Sequence, residues 1–107
     1  MTGHLKAHGR AATGSASRYL QQLCKHWSHK ATSEFDATHG TITFENGKRV
    51  EMTSTEGLLK VVVSVPEGDD LEQWKTVIDQ HLTRFAFREE FDLEWQVDAT
   101  QSVSRKT

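Results

Sequence analysis

Eight consecutive residues, LCKHWSHK (23–30), hold the chain's only cysteine, two of its six histidines, a tryptophan and two lysines. Cysteine and histidine bind metals and move protons, and lysine attracts anions. A structural zinc site needs four ligands converging tetrahedrally. On a helix, Cys24 and His26 point roughly 200° apart, so they cannot share a metal while the segment is helical. His26 and His29 can share a face if the helix reaches that far. His26, His29 and His81 are therefore weak metal candidates, and neither a metal nor any other cofactor is expected. Cys24 falls on an apolar stripe between Leu20 and Trp27, which reads as a core thiol. The negative end of a helix dipole disfavours a thiolate there.

A second basic segment, DQHLTRFAFRE (79–89), echoes the first. Val77, His81, Arg84 and Arg88 fall at spacings of four, three and four, a ridge beside that helix's apolar stripe. If the two helices lie side by side and parallel, His26, His29, Lys30, His81, Arg84 and Arg88 gather at one end. Such a group would hold carboxylates, phosphates or catecholates through charge-assisted hydrogen bonds. Tyr19 shares His26's flank and completes the candidate ligand-binding set. Plainer roles exist for each: Lys25, His26, His29 and Lys30 suit a helix C-terminus, His81 can pack at a helix edge, and Arg88 can pair with Glu89 or Glu90. The chain has no Gly-rich phosphate loop, no GxSxG elbow and no conspicuous carboxylate pair, so no catalytic residue is assigned.

The elements that must position these residues follow from periodicity. Residues 5–11 alternate, with Leu5, Ala7 and Gly9 opposite Lys6, His8 and Arg10, as in a half-buried strand. Thr13, Gly14 and Ser15 supply a turn and an N-cap. Ala16, Leu20, Leu23, Cys24 and Trp27 then line one face of a helix. Strands are expected over 34–37 and 41–44. Asn46-Gly47 follows as a type I′ hairpin signal, with a return strand through Val50 and Met52. Residues 58–65 form a well-covered central strand. Asp69 and Glu72 stand at capping-box separation before a helix carrying Leu71, Trp74, Val77, Ile78, Leu82 and Phe85. A last strand alternates from Phe91 to Val97. The order β-α-β-β-β-β-α-β makes a two-layer α+β sandwich, a largely antiparallel sheet with two amphipathic helices on one face. It resembles the TATA-binding-protein-like and helix-grip folds. Residues 1–97 form a single domain, and 98–107 read as a polar, disordered tail.

At 107 residues the chain can bury ~60–70% of its extended surface, enough for one modest core. One cysteine excludes an internal disulfide, and neither a signal peptide nor a membrane span is visible, so a cytoplasmic location is expected. Net charge is −2, but residues 1–30 carry five basic and no acidic residues, while all 15 acidic residues follow. That asymmetry suits an anionic partner. Nucleic acid is disfavoured, because Asp92, Glu94 and Gln96 line the last strand and would repel phosphate. Lys6, His8 and Arg10 are the only counterweight.

The blocks SRYLQQLCKHWSHK, HGTITFENG and VIDQHLTRFAFREEFDLEW, in this order, make residues 4–97 resemble the bacterial domain of unknown function 2218 family. The resemblance rests on Tyr19, Leu20, Cys24, His26, His29, Lys30, His81, Arg84, Arg88 and Glu89. It implies a single-domain protein from a family whose members are sometimes fused or adjacent to siderophore-interacting flavin reductases. It carries over no catalytic residue. The expectation is a non-enzymatic module binding an anionic small ligand, such as a ferric siderophore or its breakdown product, with such a flavin reductase as a possible partner. The alternatives are a structural or protein-interaction module, or an enzyme using Cys24 or His26. Oligomeric state is not legible.

Overall fold

A computed structural model describes residues 4–97, and the tail expected to be disordered lies outside them. The elements are β1 (His4–Ala12), α1 (Ala16–His26), β2 (Thr32–Phe35), β3 (His39–Thr43), β4 (Arg49–Thr55), β5 (Leu58–Pro66), α2 (Leu71–Phe85) and β6 (Glu94–Val97). All six strands pair antiparallel in one sheet of order β2-β3-β4-β5-β1-β6. The expected α+β sandwich and element order are both present. α1 packs mainly on β2, β3 and β4, and α2 on β5 and β1.

The core is built by two periodicities meeting. Ala7 and Ala11 of β1, Ile42, Val50, Met52, and Leu59, Val61, Val63 and Val65 of β5 point to one side of the sheet and are buried. Leu20, Leu23, Cys24 and Trp27 close over one half, and Leu71, Trp74, Ile78 and Leu82 over the other. Among the described residues no helix covers the opposite side of the sheet, which carries Lys6, His8, Arg10, Arg49 and Lys60, all exposed.

Pairing directions also decide how the helices run. β1 and β2 point the same way, as do β5 and β6, because each is separated from the other by an odd number of antiparallel partners. α1 joins the first two and α2 the second two, and the two pairs point oppositely. The helices are therefore antiparallel, not parallel.

Four local readings change. β2 runs from Thr32 to Phe35 rather than over residues 34–37, and it stops there because the Asp36 carboxylate accepts the Thr38 and His39 N–H groups (both 2.9 Å) and turns the chain. The hairpin is not type I′: Gly47 has φ +93°, but no non-glycine residue among the described ones has positive φ, so Asn46 does not. With Gly47 N–H bonded to the Phe44 carbonyl at 3.0 Å, it is a turn closed by a left-handed glycine. Asp70, not Asp69, caps α2, accepting the Gln73 N–H at 3.0 Å. β6 starts only at Glu94, because Phe91 and Leu93 pack on the core outside the ladder.

Gly40, where β3 passes beneath α1, fixes how closely the helix approaches. A Cβ there would lie 2.8 Å from Cys24 Sγ and 3.0 Å from Leu20 Cδ2. Gly40→Ala should destabilise the domain by about 1–3 kcal/mol, the usual cost of overpacking. Urea unfolding checks this, and adding Cys24→Ala should recover part of the loss by removing the nearer contact.

Candidate functional site

α1 ends at His26, followed by turns through residues 27–31 rather than a further helical turn. The Trp27, Ser28, Lys30 and Ala31 amides bond back to the Leu23, Lys25 and Trp27 carbonyls at 3.0–3.3 Å. Leu23, Cys24 and Trp27 point into the core, while Lys25, His26, His29 and Lys30 are exposed. LCKHWSHK thus divides into a buried face and a cationic one.

The cationic face meets α2 part-way along its length. The His26 and His81 rings lie 5.1 Å apart between centroids, and His81 sits 4.8 Å from Trp27. Phe85 flanks His26 at 6.3 Å. Beneath them Trp27 stacks on Trp74 at 5.8 Å, and Phe44 stands edge-on to both. Ring pairs of this kind add about 0.5–1.5 kcal/mol each beyond area burial. His81 Nδ1–H donates to the Val77 carbonyl at 2.7 Å, which fixes the ring and turns Nε2 away from the helix. His29 and Lys30 border an open hollow of 430 Å³ with Phe44, Thr43 and Glu45.

The patch has no close ion pair, although Glu45 lines the same hollow as His29 and Lys30. The ion pairs among the described residues are His39–Glu51, Arg49–Glu51 and Lys75–Glu72, so none of His26, His29, Lys30, His81 or Arg84 has a carboxylate within 4.0 Å. Partial burial lowers the His26 pKa below the ordinary imidazole value, and the nearby His81, His29, Lys30 and Arg84 lower it further. Among the described residues no three His, Cys, Asp or Glu side chains converge as a metal site requires.

Antiparallel helices separate the remaining candidates. Tyr19, one helical turn into α1, is buried at the far end of α2, where its hydroxyl donates to Glu89 Oε2 and its ring meets Phe91 edge-on at 5.6 Å. Thr13 Oγ1 donates to the same carboxylate oxygen at 3.0 Å. Burial raises the Tyr19 pKa, and the Glu89 hydrogen bond and charge raise it further. Arg88 pairs with neither Glu89 nor Glu90 but lies over the Phe87 ring, 5.2 Å from its centroid. Cys24 is wholly buried with Sγ against Gly40, and burial raises its pKa. The ring contacts of Trp27 and Phe85 with the histidines, and of Phe44 and Trp74 with Trp27, are the part of the site that periodicity could not reveal. It assigned these rings to core or strand, and only the adjacency of His26 and Trp27 hinted at more.

A six-stranded antiparallel sheet under two antiparallel helices, with a cationic patch where they cross, defines a small two-layer α+β domain. The chain belongs to the family described as "Uncharacterized protein conserved in bacteria (DUF2218)", which matches residues 8–96. It is similar to the protein in the "NMR structure of PA4090 from Pseudomonas aeruginosa", with 30% identity over 86% of this chain and 95% of that one, and a TM-score of 0.70. No curated protein matches it.

Three measurements test this geometry. A histidine whose folded pKa is depressed binds its proton later than in the unfolded chain. Stability is thus unaffected above the ordinary histidine range and falls as pH drops below it. NMR titration should give His26 a midpoint below the ordinary value that rises in Arg84→Gln, and His26→Gln should lose less stability on acidification. Alkylation of Cys24 should follow global unfolding, and rapid labelling of the folded protein would show that the thiol is not sealed.

Proposed function

We propose that this chain is a small cytoplasmic binding module that takes an anionic, ring-bearing ligand at the crossing of α1 and α2. The observation that carries the reading is the gathering of His26, His29, Lys30, His81 and Arg84 with no carboxylate within ion-pair distance. Like charges held together without a counterion disfavour the isolated fold, and an anion placed among them removes that cost. Arg84 and Lys30 supply permanent charge, and His26 and His81 supply N–H donors once protonated. The exposed edges of the aromatic cluster offer a surface for a planar ring.

A ferric catecholate, or a fragment left when a siderophore is broken down, combines these features: multiple negative charge on aromatic oxygens. On this reading the partner is a flavin reductase of siderophore metabolism, which would receive or deliver the iron complex. Tyr19 is left out of the ligand site because Glu89 engages it, and Arg88, just past the C-terminal end of α2, because its guanidinium lies over the Phe87 ring. An enzymatic role for Cys24 gains no support from a thiol that is buried and held protonated.

A second reading has its own observation. His81 is bonded to its own helix and packed on Trp27, so the rings could serve only to lock the two helices. Titration with Fe(III)–catecholate followed by histidine ring NMR separates the two. Binding predicts saturable shifts of His26 and His81, with affinity reduced about tenfold in Arg84→Gln through loss of one charged hydrogen bond. Histidine signals that do not move would leave only the interaction-module reading.

A further inference from the structure

The side of the sheet without helices carries a second cationic feature that the first does not explain. Register places Thr43, Arg49, Ser64 and Lys6 side by side in one row across β3, β4, β5 and β1. Strands lie about 4.8 Å apart, so the Arg49 and Lys6 backbones stand roughly 10 Å apart with Ser64 between them. These residues line a groove of 320 Å³ with His4, Gly47, Glu51 and Val62. One end is closed by the 44–48 hairpin: a Cβ at Gly47 would lie 2.8 Å from Pro66 Cγ, so only glycine lets the loop fold this near β5.

Ser64 is the unusual member. It faces the side away from the helices, where neighbours are solvated, yet it is only 7% exposed. Among the described residues its hydroxyl has no hydrogen-bond partner, although buried hydroxyls nearly always have one. Lys6 makes no ion pair among the described residues, and Arg49 makes one loose contact at 3.8 Å with Glu51, a carboxylate it shares with His39. The groove therefore holds a buried unpaired donor between an ammonium and a guanidinium, with a further hydroxyl from Thr43. Glu51 opposes an anion, but the Arg49 guanidinium, 3.8 Å from it, offsets its charge.

We propose that this groove binds a phosphoryl group. The tetrahedral oxyanion would accept from Ser64 Oγ on the groove floor, from the Arg49 guanidinium on one side and from the Lys6 ammonium on the other. The site lies across the sheet from the α1–α2 patch and does not depend on what that patch binds. Its ligand is a phosphorylated small molecule or the free ion, since 320 Å³ is at the small end of ligand pockets.

Backbone NMR of the intact protein during titration with inorganic phosphate tests the proposal, with chloride at matched ionic strength as control. The expected result is saturable shifts centred on Lys6, Arg49 and Ser64, with affinity falling about tenfold in each of Lys6→Gln, Arg49→Gln and Ser64→Ala. Ser64→Ala should fold normally, because it deletes a buried hydroxyl that has no protein partner. Tighter binding of glycerol phosphate than of phosphate would mark a phosphorylated metabolite as the source, and equal binding the free ion. Shifts matched by chloride, or affinity unchanged in Ser64→Ala, would overturn the assignment. Histidine signals of the α1–α2 patch, read in the same spectra, keep the outcome separate from that of the first site.

Discussion

β1 is inserted between β5 and β6, and that insertion constrains nearly everything else. Its nine residues pair with β5 along the whole strand, while four of them also pair with β6 on the other side. A simple meander would leave the first strand outside. Here each helix must instead join parallel strands across the covered face, which is how parallel strands are usually connected. Since β1 and β5 are antiparallel, the helices leaving them also run oppositely. The end of α1 is thereby brought to the middle of α2, setting His26 against His81. The same geometry carries Tyr19 to Glu89, at the other end of the helix pair.

The distribution of carboxylates turns that crossing into a charged site. Glu89 is engaged by Tyr19 and Thr13, Asp79 by Trp95 and Thr83, Glu72 by Lys75, and Glu51 by His39 and Arg49. Each of these acids lies at a periphery of the helix layer or on the sheet's open side. Hydrogen bonds to a carboxylate are worth more than those between neutral groups, so each acid has reason to remain where it is. The fold consequently tolerates five basic side chains around one ring cluster. Their mutual repulsion is limited by exposure to water and by the ease with which His26 stays neutral.

Much of the fold was legible because burial of one face leaves a two-residue period in strands and a three-to-four-residue period in helices. β5, with Leu59, Val61, Val63 and Val65 inward, and α2, with Trp74, Ile78 and Leu82 inward, follow these rules plainly. What local pattern could not carry was direction, since an amphipathic helix reads the same whichever way it crosses a sheet. That is why a parallel arrangement gathering Arg88 with His26 was conceivable, and why only pairing excludes it. Small misplacements have side-chain causes: Asp36 caps the β2–β3 turn, and Phe91 leaves the last strand to pack on Tyr19. The Ser64 row was equally hidden. Its members lie on four strands, far apart in sequence, and meet only through register.

The 44–48 hairpin is where the two sides of the sheet come together. Phe44 stands edge-on to Trp27 and Trp74 beneath the helices, and Lys48 lies 5.1 Å over the Trp74 ring. Gly47, three residues after Phe44, lies against Pro66 and lines the groove on the opposite side. Thr43 borders both the hollow beside His29 and Lys30 and the groove of Lys6 and Arg49. A loop anchored by an aromatic ring on one side and by a close backbone approach on the other has little room to move. Its left-handed glycine is therefore required twice, once to close the turn and once to let β4 enter the sheet close enough for Arg49 to stand beside Ser64. The Asn-Gly pair read from sequence as a simple turn signal is, in the folded chain, the joint that shapes both cationic sites.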